Sequence, residues 1–82
     1  MTTISVNILY FAQMADQRGL TEEKIDTQAT TASDLFDTLA QAHSFSSTKE
    51  VLRVAINDQY APWETALNNN DTVVFISPVA GG

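Results

Sequence analysis

The chain has 82 residues, enough for one domain over residues 1–82, and an apolar fraction of 44% that is typical of a folded protein. Ten acidic residues against four basic ones give a net charge of -6, and so few cations disfavour nucleic acid and anionic membranes as partners. The absence of cysteine excludes disulfides, thiolate nucleophiles and cysteine-based zinc sites. No signal peptide is recognised, and no apolar run approaches the roughly 18 residues that span a bilayer, so we expect a cytoplasmic protein.

The first predicted elements are two strands separated by a loop. Residues 4–11 alternate between an apolar set and a second set that starts polar and ends in Leu9 and Phe11, which is typical of a strand with one buried face. Residues 12–22 show no such pattern and are predicted to form a loop or irregular turn. Residues 23–27 form a weaker strand that returns beside the first.

One amphipathic helix follows. Thr31 and Asp34 have the spacing of a capping box with a short acid, and apolar residues then recur at helical spacing over about residues 32–43. His43 lies at the end of this helix, where the carbonyl end of the helix dipole stabilises a cation, so we interpret it as structural.

The remaining chain predicts three more strands. Alternation indicates strands over residues 52–56 and 72–76, with a short strand over residues 59–61. Asn57-Asp58 and the polar run 68–71 are typical turn sequences between them. We expect the segment around Trp63 to form an irregular turn, with the indole packed at the end of the sheet.

The element order predicts the fold class. Two opening strands, a crossing helix and further strands favour an α+β domain, in which one helix packs across one face of a mixed sheet in the β-grasp arrangement. The other sheet face stays open. Strand alternation places Phe11, Leu9 and Ile76 on that open face, and Tyr60 is positioned to join them as an apolar partner-binding patch. Arg53 on this face is either a contact at the rim of an interface or a solvated side chain, and we favour the solvated interpretation.

Catalysis by the isolated chain is not predicted. One histidine, no cysteine and no clustered acids leave no nucleophilic triad and no metal site. Glu22 and Glu23 are adjacent in a strand and point to opposite faces, so they do not form a catalytic pair. Only Gly19 lies inside the body of the chain, which excludes a glycine-rich phosphate loop.

The C-terminus is the unusual part of the sequence. Two of the three glycines are the final residues, Gly81 and Gly82. Pro78 cannot continue a paired strand, so residues 77–82 are predicted to form a flexible tail directed away from the sheet. Without Cβ atoms, the glycines can thread a narrow slot of another protein. The α-carboxylate is ionised at neutral pH and is a poor electrophile, so another enzyme has to activate it before anything is attached.

Three segments carry a resemblance to a known family. They are Tyr10-Phe11-Ala12-Gln13, Ala55-Ile56-Asn57 and the run from Val74 to Gly82, which ends in Pro78-Val79-Ala80-Gly81-Gly82. They resemble the small subunit of molybdopterin synthase, a family of β-grasp, ubiquitin-like sulfur carriers. The resemblance covers the whole chain in length and element order.

The resemblance implies a chemistry for the terminus. An ATP-dependent adenylyltransferase would adenylate Gly82, and the adenylate would then be converted to a thiocarboxylate, while Gly81 lets the tail pass into a pocket. The chain itself would bind no cofactor and no metal, since the activating enzyme consumes the ATP. The thiocarboxylate would donate its sulfur to a pyranopterin precursor in molybdenum cofactor biosynthesis, which makes the chain a sulfur-donor subunit without activity of its own.

The resemblance also implies a partner. The chain would dock on the large subunit of molybdopterin synthase in a heterotetramer of two small and two large subunits, with its tail inserted in the active site of the large subunit. The residues assigned to partner binding are Phe11, Tyr60, Ile76, Pro78, Val79 and Ala80.

Two alternatives remain open from the sequence. A sulfur carrier for thiamin thiazole synthesis would use the same terminus and activation with a different acceptor. A non-covalent ubiquitin-like interaction module would use the open face and make no use of Gly81 and Gly82.

Overall fold

The computed structural model describes residues 3–43 and 48–76 of the chain. Its elements in chain order are β1 (Ile4–Tyr10), α1 (Ala12–Arg18), β2 (Glu22–Thr27), α2 (Ala32–His43), β3 (Arg53–Ile56), β4 (Gln59–Ala61) and β5 (Thr72–Ile76).

The five strands form one mixed sheet in the order β2-β1-β5-β3-β4. β1 pairs antiparallel with β2 and parallel with β5, and β3 pairs antiparallel with both β5 and β4. The neighbouring strands β1 and β5 therefore point the same way and end at the same edge of the sheet. This arrangement confirms the predicted α+β, β-grasp architecture.

The core lies between the sheet and α2. Leu35, Phe36 and Leu39 of α2 are at most 4% exposed and belong to the same cluster as the inward residues of β1 and β5. Trp63 completes this core, since its ring stacks on Phe75 with centroids 6.0 Å apart and meets Phe36 edge-on at 5.5 Å. Its predicted packing role is confirmed. Each such large apolar side chain contributes roughly 1.5–3 kcal/mol when fully buried.

α2 begins and ends where the sequence predicted. The Asp34 N–H donates to Thr31 Oγ1 at 3.1 Å, and the Thr30 hydroxyl donates to Asp34 Oδ2 at 2.9 Å. These bonds satisfy one of the free N–H groups of the first turn and hold a carboxylate at the positive end of the helix dipole. His43 lies in the last turn, at the opposite end.

The predicted loop over residues 12–22 is wrong, because α1 occupies Ala12–Arg18. Phe11 is its N-cap residue, with an extended backbone and no side-chain cap, so the usual start signal is missing. Met14, 3% exposed, anchors the helix in the core. Gly19 ends it at φ 80°, and its N–H donates to the Ala15 carbonyl at 2.8 Å. The helix is only two turns long, which leaves too little periodicity in the sequence to be recognised.

The buried carboxylate of Asp71 connects the turn that follows β3 to the turn that precedes β5. Asp71 is 7% exposed and accepts hydrogen bonds from Asn57 Nδ2 at 2.9 Å and from the Asn68 N–H at 2.8 Å. Asn57 Oδ1 in turn accepts from the Thr72 N–H at 2.9 Å. Asn57 has φ 53° and Asn70 has φ 72°, the left-handed values that asparagine tolerates. The predicted turns are confirmed, and one side chain connects them.

Asp71→Ala is expected to lower the free energy of unfolding by roughly 2–3 kcal/mol, because it removes the buried carboxylate that accepts the hydrogen bonds of Asn57 and Asn68. Urea denaturation at pH 7 measures this. The matched control is Asp37→Ala, which removes an exposed carboxylate that pairs with Lys49 at 2.9 Å and is expected to cost less than about 1 kcal/mol. Equal losses in the two variants would contradict the role given to Asp71.

Candidate functional site

The open face of the sheet is divided into a polar half and an apolar half. At the β2 side it carries Asn7, Glu22 and Lys24, which alternate with the core-facing residues of their strands. Toward β3 and β4 the same face becomes apolar. Its location beside the last strand makes the apolar half the candidate site.

The apolar half forms a shallow groove of about 310 Å³. Val74 and Ala55 are each 7% exposed although α2 does not cover this face, so their neighbours on the open face bury them. Phe11 and Tyr60 stand above them, 55% and 71% exposed. We call this surface the apolar groove, and the residues lining it are Leu9, Phe11, Ala55, Asp58, Tyr60, Val74 and Ile76.

The structure brings together three of the predicted site residues. Phe11, Tyr60 and Ile76 come from three separate segments and all line the apolar groove. Their predicted placement on the open face is thereby confirmed, while their role in partner binding stays a prediction. The other predicted site residues, Pro78, Val79, Ala80, Gly81 and Gly82, lie outside the described residues, as does the predicted tail 77–82.

The end of the last strand lies at the Phe11 end of the apolar groove. Tyr10 pairs with Phe75 in the parallel ladder, so Phe11 and Ile76 follow it at the same level. Arg53 of β3 pairs with Ile76 on the other side. The described chain therefore ends at Ile76, beside the apolar groove, and residues 77–82 follow it in the sequence.

A polar cluster fixes the backbone on both sides of Phe11. The Tyr10 hydroxyl donates to Glu23 Oε2 at 2.7 Å. Arg18 binds the same carboxylate twice, with Nε to Oε2 at 2.8 Å and Nη2 to Oε1 at 2.7 Å. Since Tyr10 precedes Phe11 and Arg18 ends α1, one carboxylate of β2 anchors both ends of the segment that presents the Phe11 ring. A bidentate pair of this kind is geometrically specific.

The cluster also shifts the pKa values of its members. The hydrogen bonds from Arg18 hold the pKa of Glu23 below its usual range, against the opposing effect of burial. Burial, followed by the bond to Glu23, raises the pKa of Tyr10 above its ordinary value. In the sequence, Glu23 stands out only as the neighbour of a second acid, Glu22, and its role in this cluster was not predicted. The only hint in the sequence is Arg18, five residues before Glu23. That spacing does not indicate a contact unless α1 is known to be there.

Other kinds of site receive no support from the part of the chain that the structure describes. Within residues 3–43 and 48–76, no three acidic or histidine side chains converge to hold a metal ion. The helices in these ranges are too short and too polar to traverse a bilayer.

Comparison with protein families and curated proteins gives two findings. The model of the ThiS family matches residues 8–82 of the chain. The chain is also 34% identical to the molybdopterin synthase sulfur carrier subunits of Haemophilus influenzae and Mycobacterium tuberculosis. The first alignment covers 94% of this chain and 99% of the relative, and the second covers 96% and 99%.

A solved structure shows the same fold within an assembly. It is the protein-protein complex of subunits 1 and 2 of molybdopterin-converting factor from Helicobacter pylori. The superposition has a TM-score of 0.64 at 22% sequence identity, covering 96% of this chain and 100% of that chain. At this identity the similarity shows the fold.

Glu23→Gln is expected to lower the melting temperature at pH 7, because the amide cannot accept the charge-assisted bonds of Arg18. The pKa of Glu23 is lowered in the folded chain, so its contribution is present above the ordinary glutamate pKa and is lost as the pH falls through the lowered value. The difference in melting temperature between the Glu23→Gln variant and the unchanged chain should therefore become smaller at acidic pH. Thermal melts from pH 7 downward measure it.

The matched control for this prediction is Glu22→Gln, an identical change at the adjacent exposed position on the other strand face. It should leave the melting temperature nearly unchanged over the same pH range. A Glu23→Gln difference that stays constant as the pH falls would show that the carboxylate charge does not anchor α1.

Proposed function

The chain belongs to the ThiS family and is related over nearly its full length to molybdopterin synthase sulfur carrier subunits, and we propose that it carries sulfur on the C-terminal carboxylate of Gly82. The observation that carries this proposal is the position of the apolar groove. A partner bound there lies directly beside Ile76, from which six residues, able to reach roughly 20 Å when extended, lead to the terminus.

The proposed chemistry begins with activation. The carboxylate of Gly82 attacks the α-phosphorus of ATP in a separate adenylyltransferase, which releases pyrophosphate and leaves an acyl adenylate. Hydrosulfide supplied by the sulfur source then attacks the acyl carbon, a carbon–sulfur bond forms as the carbon–oxygen bond to AMP breaks, and a thiocarboxylate remains on Gly82 with loss of the proton to solvent. This route makes a poor electrophile reactive without any catalytic group on the carrier. The absence of a phosphate-binding loop from the sequence supports assigning the ATP to the other enzyme.

The proposed acceptor is a pyranopterin precursor held in the large subunit of molybdopterin synthase. The thiocarboxylate sulfur bonds to a carbon of the precursor as a carbon–oxygen bond at that carbon breaks and the departing oxygen takes up a proton, and water then cleaves the bond between sulfur and the acyl carbon. The sulfur stays on the pterin, and Gly82 returns to a carboxylate. Gly81 suits a backbone that has to pass through a narrow channel, because it carries no Cβ. A carrier for thiazole synthesis would differ only in the acceptor, and the names of the two curated relatives favour the molybdopterin route.

The proposed docking surface for the large subunit is the apolar groove, together with the tail residues Pro78, Val79 and Ala80. Phe11 and Tyr60 are half or more exposed, and aromatic side chains of this kind dominate the binding energy of many interfaces. A protein of this fold forms a complex with a second subunit in the molybdopterin-converting factor of Helicobacter pylori, which supports binding to a partner subunit. We further propose an assembly of two small and two large subunits in the cytoplasm.

Intact mass spectrometry tests the carrier chemistry. After incubation with the activating enzyme, ATP and a sulfur source, the chain is expected to gain the mass difference between sulfur and oxygen, located at Gly82. A chain that lacks Gly82 is the control, and it should fold but stay unmodified. An unmodified native chain, with the enzyme shown to be active on a reference carrier, would favour the non-covalent interaction module. Modification of the shortened chain would exclude Gly82 as the site.

Phe11→Asp is expected to weaken binding to the large subunit roughly 30-fold or more, because it places a charge in the apolar groove. Aspartate is a favourable N-cap, so α1 should remain stable. The matched control is Leu20→Asp, which changes another exposed apolar residue, 41% exposed, that does not line the apolar groove. Titration calorimetry measures both. Equal effects of the two variants would contradict docking through the apolar groove.

A further inference from the structure

One acidic residue lines the otherwise apolar groove. Asp58 belongs to the turn between β3 and β4, with φ 72°, and it is exposed. Within the described residues its carboxylate has no hydrogen bond and no ion pair. The other lining residues of the apolar groove are all uncharged. A bound partner would therefore meet a single negative charge within the apolar groove.

The strand register places a positive charge at the opposite end. Arg53 pairs with Ile76, at the end where the described chain stops. Ala55, two residues further along β3, lines the same groove, so Arg53 projects from the same face. Asp58 lies in the turn that follows the last pair of the β3–β4 ladder, which is Ile56 with Gln59. Along the strand direction, the Cα atoms of the two residues are separated by roughly 13–16 Å, with the apolar groove between them.

An apolar groove by itself does not fix the direction in which a segment lies in it, because the hydrophobic effect is non-directional. Direction matters for this chain, because the residues leading to Gly82 follow Ile76 in the sequence. A partner bound the wrong way round would place its acceptor site at the far end. Unlike charges at the two ends distinguish the two directions, because reversal brings like charges together at both.

We propose that Asp58 and Arg53 set the direction in which the partner binds in the apolar groove. The partner segment presents a lysine or arginine to Asp58 and an aspartate or glutamate to Arg53, with apolar side chains over Val74 and Ala55 between them. This inference rests on the proposed docking of the large subunit. Asp37, by contrast, lies on α2 and pairs with Lys49 at 2.9 Å.

The test uses variants of the full chain in which one charged side chain is replaced by an uncharged one. The large subunit is the probe. Asp58→Asn retains the shape of the side chain, and asparagine tolerates the left-handed backbone of this turn. Arg53→Gln removes the positive charge. Each is expected to raise the Kd by roughly three- to tenfold at low ionic strength, and to reduce the salt dependence of binding.

The matched controls make the same charge changes elsewhere. Asp37→Asn lies on the helix side of the sheet, and Lys24→Gln lies on the open face at the β2 edge, outside the apolar groove. Both should leave the Kd within roughly twofold. Circular dichroism establishes that all four variants are folded.

A second measurement addresses direction itself. With the carrier loaded with sulfur and the large subunit saturating, the fraction of carriers that transfer sulfur in a single turnover should fall for Asp58→Asn and Arg53→Gln but not for the controls. Unchanged Kd and unchanged transfer in both variants, with Phe11→Asp still impaired, would overturn this inference and leave the docking surface intact. Failure of the unchanged chain to bind the large subunit would overturn both.

Discussion

The parallel pairing of β1 with β5 is the constraint on which the remaining structure depends. It brings the beginning and the end of the described chain side by side in the centre of the sheet. Because the two strands run the same way, the segment after β1 and the segment after β5 emerge at one edge. Phe11 and Ile76, sixty-five positions apart in sequence, become neighbours at the entrance to the apolar groove. An antiparallel pair would have separated them by the length of the sheet.

The last strand, β5, is apolar on both faces. Val73 and Phe75 face α2 and are at most 1% exposed, whereas Val74 and Ile76 face the apolar groove. A strand that alternates apolar and polar residues has one solvated face. A strand that is apolar on both faces needs other residues packed against each face. In this chain α2 packs on one face, whereas the other face has only the residues that line the apolar groove. The open face is therefore the place where the molecule has surface left to bury against a partner.

Much of this arrangement could be predicted because it depends on local patterns. The bounds of α2 follow from the Thr31–Asp34 cap and from helical spacing, and strand alternation alone placed Phe11 and Ile76 on the open face. α1 could not be predicted, because its stability comes from a tertiary contact of Met14 and from the Arg18–Glu23 pair rather than from a repeated apolar face. The role of Glu23 was missed for the same reason: it depends on a helix whose existence was not recognised.

The central position of β5 has a consequence for synthesis of the protein. The strand that joins β1 to β3 begins at residue 72, so the sheet cannot close until most of the chain has been made. Pairings between distant parts of a sequence are slow to form, because the intervening chain has to be ordered first. A nascent chain that stops before β5 lacks the middle of its sheet and the floor of the apolar groove. A chain that stops before β5 therefore lacks Val74 and Ile76 and every residue after them, including the terminal glycines.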